Sequence, residues 1–458
     1  MKDWVVEEIA TADIGDERLN NRLGILLDRL GEKPTLSIPA ACNGWSETLA
    51  AYRFFDNDSV TLESVLKPHR DAAINRMAEH KVILLIQDTT ELDYTGKKER
   101  KGLGILTYDH KLGLLLHPTI AITPERLCLG VVDAKIWSRD LEDKGAKAYR
   151  KEKPVEDKES KKWLDGYRVA NEIARAVPDS MIINICDREG DVYEYFLEAA
   201  NEETRAQWIV RACQDRGVVG ELDERDSRLW ACAESAPILG TIEFTLPASH
   251  PRKEKKVTQT LRARRLRLRP PFRKGKKLPI LEINVVLVKE ENPPDGCEPI
   301  EWLLLSSLPA NTLEEAAKIV EYYLCRWQIE IYNRVLKSGC QIEELQLETT
   351  DRLKPCLALY MIIAWRVMYL LMLGRQCPQL PCDALFEESE WKSVYMIVKK
   401  QPPPQQPPAL SEMVAIIATL GGYINRNKDG PPGPKAMWIG LQRMHDFAIA
   451  WKNFGPGT

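Results

Sequence analysis

The sequence predicts an α/β chain carrying an all-β insertion and helical ends, and three observations support this. Two short runs, the continuously apolar Val82–Ile86 and the largely apolar Met181–Cys186 (MIINIC), have strand length and read as strands covered on both faces. From Trp208 to Leu305 only short β-like segments occur, parted by Gly and Pro clusters. Before and after these regions the hydrophobic period is helical.

A chain of 458 residues exceeds one compact core, so two to four domains are expected. At 44% hydrophobic and 29% charged residues the composition is that of a soluble globular protein. The net charge of −3 argues against a nucleic-acid binder, but it is unevenly spread. Between Arg252 and Lys277 there are 13 Lys and Arg against the single acid Glu254. Such a stripe points to a polyanion partner, or to a solvated loop. The 11 cysteines are scattered without a CxxC pair, as reduced thiols are, and the six His form no ligand pair. The start, MKDWVVEEIA, has no apolar core of a secretory signal. The longest apolar run, Leu357–Leu373, is short for a membrane span and contains Arg366, so a buried helix is expected there and no membrane partner.

Taken in order, Asp16 caps a first helix whose leucines recur at Leu19, Leu23, Leu26, Leu27 and Leu30, with Gly31 and Pro34 ending it. A second helix covers Glu47–Phe55 after the turn Asn43-Gly44-Trp45. The two form either a DNA-reading unit or an ordinary helical hairpin. The strand Val82–Ile86 stops at Asp88-Thr89-Thr90, and further strands follow at Leu114–Thr123 and Cys128–Ile136. The charged stretch Asp140–Lys162 includes the run Lys158-Glu159-Ser160-Lys161-Lys162-Trp163 and leads into a helix ending near Ala176. Met181–Cys186 is the second buried strand and also ends in an acid, Asp187, within CDREGD. The insertion comprises WIVRAC, GTIEFTL, QTLRARRLRLR, LPILEINVVLV and EWLLLSS. Helix resumes at Thr312, where T-L-E-E reads as a capping box. Beyond the Pro-rich Pro402–Pro408, two helical patterns suggest a small C-terminal domain.

Chemistry gathers in EYYLCRWQIEIYNRVLKSG. Tyr323, Arg326, Glu330 and Lys337 stand at offsets 0, 3, 7 and 14, with Arg334 at 11. On an uninterrupted α-helix the first four fall within an arc of roughly 80°. An acid among cations suits a metal ion beside a phosphate backbone. Asp88 and Asp187, each at the carboxyl end of a strand, are placed to share one site with it. Three carboxylates without His or Cys form a hard oxygen site for Mg²⁺ or Mn²⁺. Two such ions about 3.5–4 Å apart stabilise the attacking and leaving oxygens of a phosphoryl displacement. Taken singly, each Asp also reads as a turn or cap residue, and Glu189 or Asp191 is an alternative to Asp187.

Y-x2-R-x3-E-x6-K, preceded by one aspartate in IQDTT and another in CDREGD, resembles the DDE transposases of the Tn-five (IS-four) insertion-sequence group. The resemblance extends to KESKKW, EWLLLSS, the N-terminal AYRFF and the C-terminal LGG with its Trp-bearing helix, and so spans nearly the whole chain. The tract between Asp88 and Leu112 and the Arg-rich strand Leu261–Arg269 depart from the family pattern.

The resemblance implies a ribonuclease H-like catalytic core (residues 71–372) interrupted by the β insertion (about 205–305). A helical DNA end-binding domain (1–70) and a helical dimerisation domain (373–458) would flank it. It implies a cut-and-paste DNA transposase working through a hairpin intermediate on transposon-end and target DNA, as a homodimer in the synaptic complex. Asp88, Asp187 and Glu330 match the catalytic metal-binding triad for two Mg²⁺, with Mn²⁺ able to substitute. Tyr323, Arg326 and Lys337 match residues gripping the DNA strand near a flipped base, and Trp302 matches the base-stacking Trp. Arg334, Lys158, Lys161, Lys162 and Arg211 are further candidate DNA contacts. A bacterial cytoplasmic, nucleoid-associated protein is expected, with the N-terminal helices of a full-length transposase. A stand-alone ribonuclease H-like nuclease would lack the joining step. A DNA-binding regulator of transposition would be catalytically silent.

Overall fold

The computed structural model describes residues 1–458 except 97–99, 109, 140–157, 202, 204, 221–226, 247–254, 274, 276, 294–297, 427–429 and 456–458. Most of the charged stretch from Asp140 and part of the basic stripe from Arg252 therefore lie outside the described residues. The strands are β1 (Val82–Gln87), β2 (Thr90–Asp93), β3 (Gly104–Ile105), β4 (Leu112–Ile122), β5 (Cys128–Trp137), β6 (Met181–Cys186), β7 (Gln207–Arg211), β8 (Ile238–Leu246), β9 (Lys255–Leu268), β10 (Leu281–Glu290) and β11 (Glu301–Ser306). They fall into two compact units. The first comprises Met1–Glu79, Thr89–Gly145 and Gln328–Thr458, and the second His80–Asp88 and Ala146–Trp327.

The second unit is a mixed sheet in the order β1-β6-β7-β11-β10-β9-β8. β1, β6 and β7 run parallel, and the remaining neighbours pair antiparallel. The β-rich stretch is thus an extension of the sheet that bears the two acid-ending strands, because β7 pairs with β6 on one side and β11 on the other. It also includes one short helix, Leu229–Glu234, that β patterning does not reveal. Ile83, Leu84, Leu85, Ile86, Ile183 and Ile185 are fully buried, as strands covered on both faces require. The helix Lys161–Ala176 packs on β6. Its Gly166 permits close approach, since a Cβ there would come within 2.2 Å of Gln87 Oε1. Aromatic rings fill the space beyond, with Tyr167 against Tyr195 at 4.9 Å and Phe196 against Trp208 at 4.9 Å.

In the first unit β4 pairs antiparallel with β2, β3 and β5. Asp16 caps the helix Glu17–Glu32 by accepting from Arg18 N at 2.8 Å, and Leu23, Leu26, Leu27 and Leu30 are buried on one face. The next helix, Trp45–Phe55, starts after Gly44, whose φ of +92° few other residues tolerate. The helix Leu62–Met77 is obscured in the sequence by its internal Pro68. It lies on β5, where Gly130 has no Cβ to strike Ala73.

The apolar run lies within the helix Thr350–Gln376, which is long and apolar enough to cross a membrane by length and composition. Its most apolar window is 83% buried inside the fold. Trp365 donates to the Cys128 carbonyl at 2.8 Å. Arg366 donates to the Leu385 carbonyl at 3.3 Å and faces the Trp4 ring, and burial pushes its guanidinium down to about 10. The helices Glu388–Lys399, Leu410–Leu420 and Pro434–Phe454 complete the unit.

Candidate active site

β1 and β6 pair in parallel register from Val82↔Met181 to Ile86↔Ile185. The same register carried two residues further sets Asp88 level with Asp187, on neighbouring strands that lie about 4.8 Å apart in a sheet. Both aspartates therefore emerge side by side at the carboxyl edge, where α/β sheets bind ligands. Beneath them Gln87 donates to Asn184 Oδ1 at 3.1 Å and tightens the strand ends.

Asp187 accepts from Glu189 N at 2.8 Å, capping a single 3₁₀ turn. Burial raises its carboxyl above the usual range, and the Glu189 carboxylate adds to that rise. Arg326 and Lys162 oppose it. Arg326 Nη1 also reaches Asp88 Oδ2 at 3.4 Å. Lys162 is buried beside the site with its ammonium 3.1 Å from Glu189 Oε2, whereas Lys161 is exposed. Lys158 lines a separate cleft with Asp191, Tyr193 and Arg216.

The structure also separates the three acids of CDREGD. Asp191 is buried and pairs with Arg216 at 2.6 Å, and it accepts from Cys213 N and Gln214 N at 2.7 Å each. Its oxygens are committed to holding the chain. Glu189 is 65% exposed and pairs with Lys162.

A cavity of about 440 Å³ lies nearby in the same unit, lined by Arg188, Arg211, Trp230 and Trp302 among others. Trp302 on β11 is half-buried and meets Tyr323 edge to face, with ring centroids 6.0 Å apart. Arg211 donates to the Glu301 carbonyl at 3.4 Å, and burial raises the Tyr323 phenol while the nearby Arg326 and Arg211 charges oppose the rise. Sequence reasoning passed over Trp230, whose indole donates to Glu301 Oε1 at 3.2 Å, and Arg188. Arg188 was visible as the residue after Asp187, whereas no local pattern marks Trp230.

The uninterrupted α-helix expected for Tyr323–Lys337 is corrected. The α-helix ends at Leu324, one 3₁₀ turn spans Cys325–Trp327, α-helix covers Gln328–Arg334, and a π turn spans Val335–Gly339. Tighter and wider turns change the rotation per residue, so the 100° step cannot be carried from Tyr323 to Lys337. Within the first unit Glu330 is half-buried and Arg334 exposed. Lys337 donates to the Glu91 carbonyl at 2.7 Å and pairs with Glu343 at 3.1 Å.

Among the described residues no three His, Cys, Asp or Glu form a metal-holding group. The donor set at the strand ends nevertheless fits a hard divalent cation. It is oxygen only, and one of its carboxyls is raised by burial and by a neighbouring carboxylate, a penalty that a cation relieves.

Three family models match the chain. One described as "Transposase DNA-binding" covers residues 1–60, "Transposase DDE domain" covers 127–365, and "Transposase Tn5 dimerisation domain" covers 362–452. Asp187 and Glu330 lie inside the middle match and Asp88 precedes it. A solved structure, the piggyBac transposase synaptic complex with hairpin DNA, aligns with 99% of this chain and 78% of its own. The identity is 10% and the TM-score 0.37, a likeness too slight to argue from.

Proposed function

The chain belongs to the DDE transposases of the Tn5 type, and from that premise we propose that it is a cut-and-paste transposase acting on transposon-end DNA. Water attacks a phosphodiester at the transposon boundary and the 3′ oxygen leaves. The freed 3′-hydroxyl then attacks the opposite strand and closes a hairpin. A second water opens the hairpin, and the 3′-hydroxyl finally attacks target DNA. Each step is an in-line exchange of one P–O bond for another.

The observation that carries this reading is the levelling of Asp88 and Asp187 by the β1–β6 register, with Arg326 and Lys162 beside them. Asp88, Asp187 and Glu330 would hold two Mg²⁺, or Mn²⁺ in their place. Glu330 is assigned by its position in Y-x2-R-x3-E-x6-K. When bound, such ions stabilise the attacking and leaving oxygens of the displacement. Arg326 and Lys162 neutralise phosphate charge at the strand ends. The Arg211 charge lies near the Tyr323 phenol, and Tyr323 sets the edge on which Trp302 rests. Trp302 offers a stacking surface that offsets the cost of unstacking a base by about 1–3 kcal/mol. Lys158, Lys161, Arg334 and Lys337 complete the proposed DNA contacts.

We keep the division into an end-binding segment (1–70), a ribonuclease H-like catalytic region (71–372) and a dimerisation segment (373–458). The matched DNA-binding model over residues 1–60 and dimerisation model over 362–452 support the first and last of these. The partners are transposon-end and target DNA and a second copy of the chain in the synaptic complex, in a bacterial cytoplasm.

The test is incubation with the DNA ends flanking the encoding gene, in Mg²⁺ or Mn²⁺. Hairpin-ended fragments and joined products are expected, whereas nicks alone would indicate a nuclease. Glu330→Ala should abolish chemistry and leave end binding largely intact. Hairpins made by that variant would remove Glu330 from the triad.

A further inference from the structure

β9 carries a feature that the proposed site does not use. Its final residues alternate, with Leu266 and Leu268 buried at 2% and 0% exposure while Arg265, Arg267 and Arg269 are exposed. Alternate residues on a strand stand about 6.8 Å apart on one face, a spacing comparable with that of successive phosphates along a DNA strand. The chain then runs through Pro270-Pro271 to Phe272, whose side chain is 90% exposed. Two prolines restrict the backbone before it, so the ring is presented with little freedom to fold back. Among the described residues Glu282 pairs with Arg265 at 2.5 Å and Glu194 with Arg273 at 2.8 Å.

A row of arginines without an aromatic is a common solvated face, and a lone exposed aromatic needs no explanation. Together they match the chemistry of nucleic-acid surfaces, in which cations track the backbone and an apolar ring enters a base step. We propose that the exposed end of β9, with the following Arg269 and the Pro-Pro-Phe segment, forms a second DNA-binding surface, on which Arg265, Arg267 and Arg269 hold phosphates of one strand and Phe272 inserts at a base step. The proposal rests on the transposase reading for its partner, DNA. The same chemistry serves the transposon end or the target duplex.

The experiment compares the full-length protein with an Arg265→Ala, Arg267→Ala, Arg269→Ala variant, binding either a transposon-end duplex or an unrelated duplex over a range of salt. All three side chains are exposed, and circular dichroism verifies the fold. Each lost phosphate contact lowers the slope of log K against log salt by about 0.9, so the slope should become shallower by about 2.7. A change confined to the end duplex assigns the surface to the transposon, and a change on both assigns it to target DNA as well. Unchanged slopes on both duplexes overturn the proposal. In a second arm, Phe272→Ala should keep the parental slope but lose the fluorescence rise of a 2-aminopurine placed in the duplex, and an undiminished rise overturns the insertion. If the parental protein binds neither duplex, the transposase reading itself fails, which is a different result from either of these.

Discussion

Asp187 and His69 show how far a single residue's role depends on what surrounds it. Asp187 is one of three acids in five residues, and only its strand-end position beside Asp88 and the commitment of Asp191 to Arg216 single it out. Asp187→Asn should therefore lower the cleavage rate on the order of 10³-fold, several kcal/mol of transition-state stabilisation, with end binding retained. Cleavage and gel-shift assays on the same preparation test this, and parental cleavage would return the choice to Glu189. His69 is fully buried, its Nε2 accepts from Val131 N at 3.0 Å, and its Nδ1 therefore donates to Glu8. Burial holds the imidazole below its ordinary 6.5. The folded state refuses a proton that the unfolded chain accepts below that value, so stability is full above pH 6.5 and declines beneath it. The slope is at most about 1.4 kcal/mol per pH unit. Against burial, His69 and Arg76 hold Glu8 below 4.5, which adds a second loss as pH falls past that value. Thermal melts from pH 8 to 5 should show a falling Tm, and a flat profile would contradict the assigned tautomer.

At the scale of elements, the segment from Leu313 to Gly339 is the clearest departure from a sequence reading. Its start was legible, since the Thr312 hydroxyl accepts from Glu315 N at 3.3 Å in the capping box that T-L-E-E announces. Its 3₁₀ and π turns were not, because apart from the terminal Gly339 no residue in CRW or VLKSG breaks helical propensity strongly. The wide turn ends at Gly339, where a Cβ would stand 3.0 Å from the Trp438 ring, so a packing partner far along the chain meets it there. The C-terminal helices depend on a similar contact. A Cβ at Gly440 would lie 2.1 Å from the Ile417 carbonyl oxygen, and backbone cannot step aside as a flexible side chain can. Gly440→Ala should part the helices Leu410–Leu420 and Pro434–Phe454 and cost about 1–3 kcal/mol, despite the better helix propensity of Ala. Denaturant unfolding measures this, and a gain in stability would show that the pair has room to relax.

For the whole molecule, the N-terminal segment, which matches a DNA-binding model, folds within the same compact unit as residues 328–458. Lys2 pairs with Glu390 at 2.7 Å, and Glu32 lies 3.0 Å from His445 Nε2. Deleting residues 1–60 should therefore destabilise this unit as well as abolish end binding, so hydrogen exchange in the helix Thr350–Gln376 should accelerate. A truncated chain with parental protection there would show the segment to be separable. What is local was legible in the chain alone: the strands that end in Asp88 and Asp187, the capped helices, the buried run around Arg366, and the ordered motifs that mark the family. These follow from periodicity, turn residues and spacing, which neighbouring residues settle among themselves. The register that levels two aspartates 99 positions apart, the diversion of Asp191 to Arg216, the joining of β7 to β6, and the exposure of one face of β9 come instead from the fold. Each of these depends on partners distant in the chain, and pairing, burial and charge neutralisation between such partners are set by packing rather than by any local pattern.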